Sequence, residues 1–213
     1  MKKKPLIALA TAIIVGLASY ALGWSTLFTV SSVEIKGTDQ FLPQNVKVGE
    51  KLARVEPRAV ASTYENFAFV QDAQVSRNWI SGKVTISITT RTPVAIFNNQ
   101  AIDASGKAFM VKGDLPAALP QIEAGNIEIA VRAVEFMTSL PDEIRSNLKI
   151  LKVRSTGAYV LEVDVEGRKV EVRWGLATDN ELKAKVYQAL LAQPENAKLK
   201  RMDLSAPHAP IVK

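Results

Sequence analysis

The sequence has 213 residues, of which 47% are hydrophobic and 23% are charged, and its net charge is +6. This apolar content excludes a disordered or collagen-like chain, because enough hydrophobic surface is available to form a core. The absence of cysteine excludes disulfides, thiolate metal sites and a cysteine nucleophile, and the single histidine, His208, excludes a multi-histidine metal site.

The positive charge is concentrated at the start of the sequence. Lys2, Lys3 and Lys4 supply half of the net charge, and no charged residue follows them until Glu34. The remainder of the chain mixes both signs and is nearly neutral, whereas a nucleic-acid-binding protein presents a clustered basic surface. We therefore expect no nucleic-acid partner.

Residues 6–24 form a run of nineteen residues without a charge. As a helix this run would be about 28 Å long, which matches the hydrocarbon core of a bilayer. Because the three lysines precede it, the positive-inside rule makes residues 1–5 a short cytoplasmic tail and places the rest outside. We predict a transmembrane helix over residues 6–24 that contacts membrane lipid. A cleaved signal peptide, with a cleavage site near residues 18–21, is the alternative.

Residues 28–97 are predicted to form a small α+β unit. Apolar and charged residues alternate over residues 33–37, which predicts a strand. Residues 57–67 predict an amphipathic helix that begins at a proline. Two further strands are predicted at residues 70–79 and 83–89, joined by a short turn.

Residues 98–213 are richer in hairpins. A tight turn at residues 103–106 is predicted to join two short strands, residues 100–102 and 108–111. Asn126 is predicted to cap a helix that ends near Pro141.

Regular alternation then predicts three strands, at residues 148–153, 159–165 and 169–174, with a hairpin turn at Glu166 and Gly167. Thr178 and Glu181 have the spacing of a capping box. The helix that this box would start has Leu182, Val186 and Leu190 as its predicted apolar face. Residues 199–204 and 209–212 are predicted to form the last two strands.

The sequence offers little for catalysis. Glu162 and Asp164 are two residues apart, as paired acid catalysts can be, but their alternation with apolar residues indicates the solvated face of a strand. His208 lies between two prolines, which favours a surface loop. Phosphate-binding glycine motifs are absent. We expect no catalytic residue, no metal, no cofactor and no small-molecule substrate.

The order of these features resembles the bacterial cell-division family FtsQ/DivIB. The segments that carry the resemblance are, in order, VEIKG, VGEKLARVEP, FAFVQDAQVSRNW, KVTISITTRTPVAIF, AIDASGKAF, LPQI and MDLSAPHAPIVK. They extend over nearly the whole sequence. The most specific are the RNW turn followed by a strand and RTPVA, and the AIDASGKAF turn.

The resemblance implies an α+β architecture with a single N-terminal transmembrane helix. Residues 28–97 would then be a POTRA domain, and residues 98–213 a hairpin-rich β domain with two helices. One departure concerns the first POTRA helix. Only eleven residues separate Gly37 from Gly49, and Pro43 lies among them, so this helix is expected to be truncated.

The resemblance also implies a function and partners. The protein would be a non-enzymatic, single-pass scaffold of the inner membrane, concentrated at the division septum and linking early and late division proteins. It would recruit FtsB and FtsL through the C-terminal strand edge of the β domain, by β-augmentation. FtsK or another division protein is a candidate partner of the POTRA unit, through an edge at residues 33–36 or 83–89.

The resemblance indicates nine residues as candidates for partner binding, each of which could instead pack internally. They are Lys183, Tyr187, Arg201, Met202, Asp203, Leu204, Ala209, Ile211 and Val212. Two functions of other classes are kept as alternatives. One is an anchored or secreted POTRA-containing chaperone for outer-membrane assembly or polypeptide transport, and the other is a small hydrolase that uses Glu162 and Asp164.

Overall fold

The computed structural model describes residues 3–23, 27–113 and 115–213, and within the first helix the side chains of residues 7–21. The chain divides into two compact units, Met1–Arg91 and Thr92–Lys213. Trp24, at the end of the predicted transmembrane segment, lies outside the described residues, as does the start of the predicted cytoplasmic tail.

The first unit begins with helix α1 (Lys3–Gly23), which has 21 residues. Apolar side chains along it, such as Ile7, Ile14 and Leu17, are exposed. In the described part of the chain, no helix combines the length and the apolar content that crossing a membrane requires.

The rest of the first unit packs one helix against a three-stranded sheet. Its elements are β1 (Ser32–Lys36), a 3-10 turn (Leu52–Arg54), α2 (Pro57–Glu65), β2 (Val70–Arg77) and β3 (Lys83–Thr90). The sheet order is β1-β3-β2, with β1 parallel and β2 antiparallel to β3. Proline at the first position of α2 has the φ that the helix needs and lacks only an N–H that would be unpaired there.

The predicted elements of the first unit agree with the structure, with one difference that bears on docking. The predicted strands and helix are confirmed to within two residues at each end. However, β3 is the central strand of the sheet, so residues 83–89 do not form the edge that was considered. Residues 38–51 contain no α-helix, in line with the expected truncation.

The second unit is a nine-stranded sheet with three helices in its described residues. Its elements are β4 (Pro93–Phe97), β5 (Gln100–Asp103), β6 (Ala108–Phe109), β7 (Gln121–Glu123), α3 (Ile127–Ser139), α4 (Asp142–Arg145), β8 (Leu148–Val153), β9 (Tyr159–Val165), β10 (Arg168–Gly175), α5 (Asn180–Leu191), a 3-10 turn (Pro194–Asn196), β11 (Arg201–Asp203) and β12 (Ile211–Val212). The strand order is β12-β11-β10-β9-β8-β7-β4-β5-β6. The core includes residues of both long helices and of the sheet face beneath them, among them Phe136, Trp174 and Tyr187.

The hairpins of this unit follow from local turn chemistry. Glu166 and Gly167 have φ values of 52° and 80°, the positive pair that a two-residue hairpin turn needs, and the predicted turn is confirmed. Asn98 and Asn99 form a second turn of this kind, at φ 46° and 63°, between β4 and β5. That turn was not predicted, although asparagine tolerates the left-handed region better than most residues.

Of the two predicted helix caps, one is confirmed and the other is wrong. The Asn126 side chain accepts a hydrogen bond from the Ile129 amide at 2.9 Å, as predicted. The second long helix begins later than the capping box indicated. Its cap position is Asp179, at φ 52° and without a side-chain capping bond, so the prediction for Thr178 is wrong.

The boundary between the units also differs from the predicted one. Strand β4 (Pro93–Phe97) belongs to the second unit, because it pairs with β5 and β7 there. The predicted boundary had placed these residues in the first region, 28–97.

Candidate protein-docking edge

Strand β12 lies at one end of the nine-stranded sheet. It pairs with β11 in antiparallel register, Met202 opposite Val212 and Asp203 opposite Ile211. On its other side, no strand of the described part of the chain pairs with it. An unpaired strand edge of this kind can accept a strand from another protein.

The hydrogen bonds of β12 show which backbone groups face outward. The Lys213 amide donates to the Arg201 carbonyl at 2.9 Å, and the Arg201 amide donates to the Lys213 carbonyl at 3.0 Å. In an antiparallel ladder such pairs alternate with pairs that exchange no bonds. The pair Met202 and Val212 is therefore the non-bonded one, and the N–H and C=O of Val212 point away from β11. Pro210, the next outward residue along the chain, has no N–H to offer.

The turn between β11 and β12 is held by side-chain bonds at its start. Asp203 Oδ1 accepts from the Ser205 amide at 3.0 Å and from the Ser205 hydroxyl at 2.6 Å. The Ala209 amide then donates to the Ala206 carbonyl at 3.0 Å. Gly175, at φ 77°, lies under this turn, where an added Cβ would be 3.0 Å from Ser205 Cα. These contacts fix where β12 begins.

Four of the nine predicted partner-binding residues are exposed, and a fifth is half-buried. Arg201 and Ala209 are exposed, Ile211 is 57% exposed, Val212 is 37% exposed, and Asp203 is half-buried. Ile211 and Val212 occupy opposite faces of the sheet because successive strand residues alternate. Exposed side chains therefore lie beside the unpaired backbone edge of β12 on both faces of the sheet.

The other four predicted residues are buried in the second unit. Met202 of β11 and Leu204, which follows that strand, are fully buried because they lie on the face of the sheet that packs against the helices. Lys183 and Tyr187 are buried on α5, whose inner face is displaced by one residue from the predicted face. These side chains support the edge from within and do not form its outer surface.

Lys183 is unusual among these four buried residues because it is a lysine that is only 1% exposed. Its ammonium donates to the Leu176 carbonyl at 2.8 Å, just beyond the end of β10. Burial lowers the pKa of Lys183, and the nearby Asp179 carboxylate partly opposes that effect. The lysine thus connects α5 to the end of β10, and Trp174 does the same by donating to Asn180 Oδ1 at 2.8 Å.

Tyr187 provides a test of this packing through pH. Burial raises the pKa of its hydroxyl from 10 to about 12, so the folded unit retains the proton where the unfolded chain releases it. The stability from this difference is complete below pH 10 and is lost between pH 10 and pH 12. We expect wild type to lose about 2 kcal/mol more than Tyr187→Phe over this range, measured by denaturant unfolding. Parallel losses in both proteins would contradict the assigned burial.

The outer face of the sheet carries a row of ion pairs that ends at the docking edge. Lys152 Nζ lies 2.8 Å from Glu162 Oε1 and 3.4 Å from Glu123 Oε2. The hydrogen bond to Glu162 is the main reason that the pKa of Lys152 is raised. Further along, Glu171 Oε1 lies 2.9 Å from Arg201 Nε and 3.2 Å from Arg173 Nε. The row therefore ends on the cation Arg201, next to β12.

The residues considered for hydrolysis have structural partners. Glu162 pairs with Lys152, and Asp164 Oδ1 accepts from the Gly167 amide at 2.8 Å, which closes the β9–β10 hairpin. His208 is exposed in the β11–β12 turn. Among the described residues, no three acidic or histidine side chains come together as a metal site.

The other edge strands of the described residues are either less exposed than β12 or belong to the first unit. At the opposite end of the large sheet, β6 is as short as β12, but its Phe109 is buried and its Ala108 is half-buried, whereas both residues of β12 are exposed. In the first unit the edge strands are β1 and β2. Glu171 and Arg173, beside β11, were not among the predicted residues, although their alternation with the buried Val172 places them on the outer face.

Comparison with known families gives a match over the second unit. Residues 94–205 match the family model described as "Cell division protein FtsQ/DivIB, C-terminal". The match covers just over half of the chain and contains strands β5 to β11. Strand β12 follows the matched range.

Individual relatives extend the similarity into the first unit. "Cell division protein FtsQ" of Streptomyces bingchenggensis is 28% identical over 95% of this chain and 83% of its own length. The protein of the same name from Streptomyces coelicolor is 27% identical over 96% of this chain and 85% of its own length. That from Salinibacter ruber is 24% identical over 72% of this chain and 63% of its own length.

Proposed function

The chain belongs to the FtsQ/DivIB family of cell division proteins, and from this membership we propose that it is a non-enzymatic scaffold of the division machinery that recruits FtsB and FtsL through β12. The observation that carries the proposal is the outward-facing backbone of Val212 on an unpaired strand edge. No feature of the described residues favours the chaperone alternative over this function.

The recruitment step is a strand addition. An FtsB or FtsL segment in extended form bonds to the outer side of β12 and continues the sheet. Val212 supplies one donor and one acceptor, while Ile211 and Val212 side chains supply apolar contacts on the two faces. The rigid support under β11 keeps this short edge in place, so that little ordering cost is added on binding.

Membrane anchorage is the second part of the proposal. The uncharged run at residues 6–24 follows three lysines, and apolar side chains around α1 are exposed, as they would be toward lipid. The protein would then lie in the inner membrane, with a single span, its N-terminus in the cytoplasm and both later units outside. It would be concentrated at the division septum.

The first unit completes the scaffold as a POTRA domain. Its strand, helix, strand, strand order and its order of strands in the sheet support this assignment. FtsK or another division protein would bind at one of its edges, β1 or β2. The central position of β3 leaves only these two strands as edges among the described residues.

Deletion of residues 206–213 tests the docking function. We expect the truncated protein to reach the septum and fail to retain FtsB and FtsL, because β12 is removed. Septal fluorescence of tagged proteins and co-purification of the FtsB–FtsL pair measure the two effects. Normal recovery of the pair by the truncated protein would refute docking at β12.

A further inference from the structure

The β2–β3 turn of the first unit presents an unusual tip. Ile80 is 100% exposed, and its neighbour Trp79 is 37% exposed. Turn positions normally carry glycine, asparagine or another small polar residue. A large apolar side chain in this place gains nothing from the fold of its own unit.

The turn displays these side chains rigidly. Asn78 Oδ1 accepts from the amides of Ile80 and Ser81, each at 3.0 Å. The Gly82 amide donates to the Asn78 carbonyl at 2.9 Å, and the Asn78 amide donates to the Lys83 carbonyl at 2.8 Å. Four bonds within residues 78–83 therefore fix the backbone that carries the exposed isoleucine.

Trp79 is held in a fixed place beside this tip. The Arg77 guanidinium lies 5.3 Å from the centre of the Trp79 ring, and Arg77 also donates to the Leu52 and Val55 carbonyls at 3.0 and 2.7 Å. Phe28 meets the indole edge to face, with ring centres 6.1 Å apart. An aromatic ring with one apolar side and a polar N–H is typical of the membrane interface.

The tip is attached to the segment that follows α1. The Ser31 amide donates to the Gly82 carbonyl at 2.9 Å, and the Ser31 hydroxyl donates to the Ser81 carbonyl at 2.7 Å. Five residue steps separate Phe28 from Gly23, the last residue of α1, and an extended chain of that length reaches at most about 18 Å. The turn is thus restricted to the vicinity of the end of the apolar helix.

A second exposed apolar tip is attached at the same place. Val48 is exposed beside the exposed Lys47, and the next residue, Gly49, donates to the Val30 carbonyl at 2.8 Å. Lys83 lies at the base of the β2–β3 turn, where its ammonium pairs with the Glu34 carboxylate at 2.7 Å. Apolar tips with nearby cations are the combination that binds the surface of a membrane containing anionic lipid.

We infer that the β2–β3 turn inserts Ile80 and Trp79 into the outer membrane surface, so that the first unit contacts lipid next to its anchor. This inference rests on the proposed anchorage by residues 6–24. The contact would restrict the tilt of the first unit against the membrane.

Spin labelling can test the contact in the full chain, which has no native cysteine. Nitroxide labels are placed singly at Ile80→Cys, Thr90→Cys and Leu17→Cys. Thr90 is the matched control, because it is exposed at the opposite end of β3, about 23 Å along the strand from Lys83. The labelled proteins are reconstituted in vesicles of phosphatidylethanolamine and phosphatidylglycerol. Collision rates with oxygen, which concentrates in lipid, are compared with those of a water-soluble nickel chelate.

We expect the ratio of oxygen to nickel collisions to be several-fold higher at position 80 than at position 90, and high at position 17. A high ratio at position 17 with equal low ratios at 80 and 90 would overturn the contact and leave the anchor intact. Low ratios at all three positions would refute the anchor, and the inferred contact with it.

Discussion

Replacing Val212 by proline is expected to reduce binding of the FtsB–FtsL pair by at least about a hundredfold. The substitution removes the outward N–H of β12, and its ring occupies the space that an incoming backbone needs. The bonds between Lys213 and Arg201, which pair β12 with β11, do not involve this N–H. The edge should therefore stay in place while its ability to accept a strand is lost. Titration of the purified pair measures the change.

Two variants control this experiment. Val212→Thr keeps both the amide and a β-branched side chain, so binding should fall by no more than a few-fold. Ile211→Pro removes an N–H that faces β11, and it should release β12 from the sheet as well as weaken binding. If Val212→Pro bound the pair as wild type does, strand addition at this edge would be ruled out.

The second large effect is expected for Gly37→Ala, in the first unit. Gly37 has φ 87°, and an added Cβ would be 2.0 Å from the Ile88 carbonyl oxygen of the central strand. Strain in the left-handed region and the clash with backbone together should destabilise the unit by about 3–5 kcal/mol. Hydrogen exchange of the β3 amides in the full chain measures this locally, without requiring the whole protein to unfold in one step.

Gly49 is a matched control, because its φ is also 87° but nothing lies within 4 Å of an added Cβ. Gly49→Ala should cost only the conformational strain, about 1–2 kcal/mol. Equal losses for the two variants would show that the close approach of Gly37 to Ile88 has no energetic effect.

Long strands with regular alternation were predictable from the sequence. The predicted bounds of β8 and β9 agree with the structure, and those of β10 differ by one residue at each end, because each has six or more residues with one buried face. Strand β7 has three residues, too few for a periodic pattern to appear. Its position depends on parallel pairing with β4 and β8, which the local sequence does not encode.

The docking edge was only partly predictable. The two short strands at the end were expected, but the direction of the Val212 amide depends on register with β11, a non-local property. The burial of Lys183 was missed because lysine on a helix is normally exposed. Its partner, the Leu176 carbonyl, comes from the end of another element, so nothing in the helix sequence identifies it.

Amide hydrogen exchange at Val212, with and without the extracytoplasmic segments of FtsB and FtsL, tests docking at β12 most directly. In the free protein the Val212 amide should exchange rapidly, while the Lys213 amide is slowed by its bond to Arg201. Binding should slow exchange at Val212. Unchanged exchange at Val212, together with new protection at β2 or β6, would contradict the account.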